Sequence, residues 1–166
     1  MKSTHVIATA ETRLQADIIM IRLRRAGINV DRVSAVFSRK FAPNSFFFWL
    51  RSPRTLHCAS RRQSFFVAGP LQRWFGVDEH VEALATILYR LGLERREATH
   101  LGQALWQGRG VLCVQAKNMD EASVAWHIFK HSRAEDIAVT GNPGHASGSE
   151  RVNESVSAGW IPAVAV

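Results

Sequence analysis

The chain has 166 residues, 46% of them hydrophobic and 21% charged, which fits one globular domain long enough to bury a core without disulfide or metal staples. Its 21 basic and 14 acidic side chains leave a formal charge of +7, which points towards an anionic partner and says nothing about fold. Two cysteines outside any CxxC spacing, no apolar run near the ~18 residues of a membrane helix, and an N-terminus that enters a strand without an apolar leader predict a cytoplasmic protein with no membrane span.

The first element is a strand at residues 6–10, followed by Glu11-Thr12 as a helix start. Leu14, Ile18, Ile21 and residues 23–26 recur at helical spacing and are expected to form the inward stripe, with Arg22, Arg24 and Arg25 largely outside it. Gly27 closes the helix, and "DRVSAVF" at 31–37 reads as a second strand, completing a β-α-β unit.

Residues 38–63 read as an inserted basic and aromatic arm. No acid occurs between Arg32 and Val77, while eight cations do: Arg32, Arg39, Lys40, Arg51, Arg54, Arg61, Arg62 and Arg73. A strand at 64–70 is stopped by Gly69-Pro70, and two helical stretches at 82–93 and 94–108 are separated at Gly92.

The opening grammar then returns: a strand at 111–116, a cap at Asn118, a helix at 119–131 and a strand at 136–140. Val6 matches Val111, Ala16 matches Ala122, and residues 31–33 match 136–138, a steady offset of 105 or 106 that marks an internal duplication. Two such units predict an α+β, ferredoxin-like sandwich: a four-stranded sheet with helices on one face, and an extra strand and two helices inserted between the units. Right-handed crossovers follow within each unit. Residues 141–166 lack periodicity and predict a flexible Gly/Ser-rich tail, whose closing "WIPAVAV" is apolar enough to dock.

The order strand, helix, strand, "VAGPL", helix, "LGLERREATHLGQALWQGRGVLCVQA", helix, "AEDIAV" resembles a family of small bacterial general stress proteins, over residues 5–37 and 64–139. The matching positions include Gly92-Leu93, Gly108, Gly110, Asp120-Glu121 and residues 134–137. The chain departs from that pattern at "QRWFGVDEH", at Arg133 where glycine is usual, and in its longer, more basic arm. The resemblance implies an α+β sandwich that self-associates and has no known catalytic activity, and it carries over no functional residue.

The chemistry-bearing side chains support no enzyme. His127 and His131, four apart on one helix, lack a third metal ligand and an HExxH context, so they read as exposed histidines. There is no GxSxG, no nucleophilic-cysteine context and no phosphate-binding loop, and Glu94, Glu97, Asp120 and Glu121 are accounted for as first-turn acids. No catalytic, cofactor or metal residue is therefore expected.

The arm offers two readings. Arg39, Lys40, Arg51, Arg54, Arg61 and Arg62 with Trp49 have the composition of a surface that neutralises phosphates and stacks bases. Phe46, Phe47, Phe48 and Trp49 could instead pack over an open sheet face or against a second copy. The leading expectation is a non-catalytic, stress-associated interaction module that forms a homo-oligomer, a dimer. The alternatives are nucleic-acid or other polyanion binding through residues 39–62, and a small-ligand regulatory domain at a dimer interface.

Overall fold

A computed structural model of the chain describes residues 3–41, 53–58, 63–76 and 80–141. Ten elements follow in order: β1 (Thr4–Ala10), α1 (Arg13–Arg25), β2 (Val33–Ser38), β3 (Arg54–Leu56), β4 (Phe65–Ala68), α2 (Leu84–Leu91), α3 (Arg95–Trp106), β5 (Gly110–Ala116), α4 (Met119–His131) and β6 (Glu135–Val139). Both β-α-β units form where the sequence places them. Thr12 caps α1 by accepting from the Gln15 amide at 3.2 Å, and Asn118 caps α4 by accepting from Glu121 at 2.8 Å. Gly92, at φ +115°, ends α2 in the left-handed conformation that a side chain would resist.

The strands form one six-stranded antiparallel sheet in the order β3-β4-β2-β5-β1-β6. The equivalent strands of the two units, β1 and β5, lie side by side, Val6 opposite Val114 and Ile7 opposite Cys113. The inserted strand β4 extends the sheet beyond β2. A further strand, β3, arises inside the region read from sequence as an arm, with Thr55 opposite Phe66.

Alternation along the strands builds two cores. Val6, Ala8, Val33, Phe37, Leu112 and Val114 meet α1 and α4 through Ile19, Met20, Leu23, Ala125 and Phe129. Ile7, Val36, Phe65, Val67, Val111 and Cys113 point the other way and meet α2 and α3 through Leu84, Ile87, Leu88, Leu101 and Leu105. Each fully buried aliphatic or aromatic side chain contributes about 1.5–3 kcal/mol relative to exposure. The expectation of helices on one face therefore needs correction. The inserted helices cover the second face, and the open surface over which the arm aromatics were expected to pack is occupied by α2 and α3.

A second correction concerns α1. Its inward residues are Ala16, Ile19, Met20 and Leu23, whereas Leu14, Ile18 and Ile21 are exposed. The residues of the expected tail from 142 onward lie outside the described residues.

One half-buried and one buried group set a pH window. Burial holds the His5 imidazole below its ordinary 6.5, and burial pushes the Cys113 thiol up to about 12. Below about pH 6.5 the unfolded chain protonates at His5 first, so stability falls on acidification. Above the ordinary thiol value of 9.0 the unfolded chain ionises at Cys113 first, so stability falls again as pH rises towards 12. Urea midpoints measured across pH should show both limbs. His5→Gln should weaken the acid one and Cys113→Ala the alkaline one. At pH 8 iodoacetamide should label the half-buried Cys58 and spare Cys113 until the chain unfolds.

Candidate functional site

The sheet ends at β6, and its edge is irregular. Ile7 pairs with Ala138 and Thr9 with Glu135, so three steps on β6 answer two on β1, which is a β-bulge. Within it Asp136 sits at φ +53°, and Arg133 just before the strand at φ +59°, the two described non-glycine residues with positive φ. Aspartate tolerates this region better than most residues, but it is still strained.

The bulge aims the Asp136 carboxylate at three partners. Oδ2 accepts from the Thr9 hydroxyl at 3.0 Å, and Oδ1 accepts from His100 Nε2 at 2.9 Å. Arg109 Nη1 lies 4.0 Å from Oδ2 and donates to the Glu135 carboxylate, a bond that holds the guanidinium charged. Thr9 is fully buried, while the His100 side chain is 62% exposed. A carboxylate can only accept, so Nε2 carries a proton.

His100 lines a cleft of about 1150 Å³ that wraps the sheet edge. Residues 134–138 form its floor. One wall is α3 with Arg95, Arg96, His100 and Gln103, and the other is α4 with Trp126 and Lys130. The two helices lie on opposite faces of the sheet, so the edge strand runs along the bottom of the groove. The Thr140 amide donates to His5 O at 2.9 Å, which fixes the alternation beyond the bulge: Ala138 turns its backbone towards β1, and Val139 turns its own outward.

Thr99 is the one hydroxyl-bearing residue lining the cleft, no cysteine lines it, and the Thr99 hydroxyl already donates to Arg95 O at 2.8 Å. Among the described residues no group of three or more His, Cys, Asp or Glu side chains could hold a metal ion. No described helix is long and apolar enough to cross a membrane.

The residues singled out from sequence lie elsewhere. Arg39 and Lys40 are exposed in the turn after β2. Arg54, in β3, donates to Phe75 O at 2.9 Å and Gln72 O at 3.4 Å, tying the edge strand to the turn after Gly69. Arg51, Arg61, Arg62, Phe46, Phe47, Phe48 and Trp49 lie outside the described residues. His127 and His131 stack with ring centroids 6.3 Å apart on the exposed side of α4. His100, Arg109 and Asp136 were not singled out together. They are distant in sequence, and only the β1–β6 register and the bulge join them.

The strain at Asp136 has a measurable signature. Asp136→Gly relieves it and Asp136→Ala does not, so glycine should be the less destabilising replacement by about 1 kcal/mol, although glycine usually weakens a strand. Urea unfolding of the two variants reads the difference directly. Comparison with known proteins gave no matching family model, no matching curated protein and no matching solved structure.

Proposed function

We propose that the domain is a non-catalytic interaction module that takes an extended polypeptide segment as an additional strand along β6. The observation that carries this reading is the edge position of β6, whose residues 135–138 floor a groove walled by α3 and α4 and whose next residue, Val139, turns its backbone away from β1. An incoming strand would hydrogen-bond to that backbone, and its alternate side chains would enter the space under each wall. The groove carries both signs of charge, Arg95, Arg96 and Lys130 against Glu94 and Glu97, as suits a peptide better than a uniformly anionic ligand.

We read the fold behind this groove as a ferredoxin-like sandwich with two strands and two helices added. In support, the four strands of the duplicated units stand in the order β2-β5-β1-β6, all antiparallel. We take the partner to be a polypeptide of a stressed bacterial cytoplasm, which is what the resemblance to general stress proteins implies.

The test is selection from a random 12-residue peptide library, followed by amide hydrogen exchange on the bound state. Selected peptides should slow exchange at Val139. Peptides that bind without slowing that amide would overturn the assignment. Binding confined to nucleic acid, with affinity falling at about −0.7 per phosphate contact on a log–log salt plot, would put the polyanion reading in its place.

A further inference from the structure

Helix α1 is apolar on two opposite sides. Ala16, Ile19, Met20 and Leu23 fill the core beneath it. On the far side Leu14 is 68% exposed, Ile18 39% and Ile21 36%, and their i, i+4, i+7 spacing lines them up as one stripe. A stripe of three large aliphatics directly opposite a helix's buried face is the pattern of a second packing surface.

The charges beside it are mostly committed within the chain. Arg13 pairs with Asp17 at 3.6 Å, and Arg22 donates to His131 O and to the Ser132 hydroxyl at 2.9 Å. Glu11, just before the helix, and Arg25, its last residue, bracket the stripe and are both exposed. In sequence Ile18 lies midway between them, and the midpoint of Leu14 and Ile21 falls next to it.

We infer that α1 is a homodimer interface, two copies packing antiparallel about a two-fold axis at Ile18. That axis sets Ile18 against itself, Leu14 against the partner's Ile21, and Glu11 beside the partner's Arg25 at both ends. A self-complementary patch of this kind is what a two-fold dimer requires, and a foreign partner would have no need of the symmetry. The apolar centre is small beside the ~800 Å² per partner of a standard interface, so the dimer is weak, dissociating at about 10–100 µM.

Sedimentation velocity on the full chain from about 10 µM to about 1 mM tests this. The native chain should pass from monomer to dimer across that range. Ile18→Arg, which keeps a good helix former on the outer side of α1, should weaken association at least tenfold with an unchanged far-UV spectrum. Glu11→Arg should weaken it several-fold, and adding Arg25→Glu to that variant should restore it. A monomer throughout, association indifferent to Ile18→Arg, or a charge swap that fails to restore would each overturn the assignment. So would a native monomer that dimerises only when residues 160–166 are removed, which would make that segment the occupant of the stripe.

Discussion

Val139→Pro should weaken the proposed peptide capture along β6 at least about tenfold and leave the domain folded. The Val139 amide points away from β1, because the bonds to β1 fall on Ala138 and Thr140. Proline there removes no hydrogen bond of the sheet, and edge strands accept it on the solvent side. It does remove one donor that an added strand needs, worth about 1 kcal/mol, and places a ring against the incoming backbone. Together these should cost at least about tenfold in affinity for a peptide selected on the native domain, with the urea midpoint little changed. The neighbouring Ala138→Pro supplies the contrast, since its amide faces Ile7 and its loss should destabilise the fold itself. If Val139→Pro binds peptide as the native chain does, strand addition at β6 is wrong.

Gly69→Ala should cost about 3–5 kcal/mol, a large share of the 5–15 kcal/mol that holds a domain of this size together. Gly69 lies at φ +84° where the chain leaves β4, and a Cβ there would fall well inside contact of Val33 O and 2.7 Å from Ser34 Cα. Both obstacles are backbone at the start of β2, held in the ladder to β5. The loop cannot swing away cheaply. Pro70 fixes the next residue's path, and the Leu71 amide donates to the Ser34 hydroxyl at 2.9 Å, a bond that any retreat would break in a buried place. Urea unfolding of the variant measures the loss, and a cost under about 1 kcal/mol would show that the segment yields where the packing says it cannot.

The duplicated units were legible because each carries local punctuation. Thr12 and Asn118 start helices through bonds within one turn, and the apolar runs of β1, β2 and β5 are buried on both faces. The strands that the offset matches, β1 and β5, lie side by side, though antiparallel, so that Val6 stands opposite Val114 and Val111 opposite Thr9. The inward face of α1 was misread for a physical reason. Isoleucines and leucines stand on both sides of the helix, and periodicity cannot rank two apolar stripes. The covering of the second face by α2 and α3 was illegible because amphipathic helices declare that they pack, and not against which face. The His100–Asp136 contact depends on a single extra residue in β6, and nothing local to either side chain announces it.

The pairing of β1 has a cost that falls on the growing chain. Its two neighbours, β5 and β6, lie more than a hundred residues further along, so closing those loops costs entropy before any ladder bond repays it. At ~5–20 residues per second of synthesis, β1 leaves the ribosome several seconds before β5 exists. Throughout that interval Val6 and Ile7 have no strand to lie against, and α1 has only half a platform beneath it. Newly made chains should therefore pass through a sticky, half-built state, and refolding from urea should run in milliseconds to seconds and lose yield steeply as protein concentration rises.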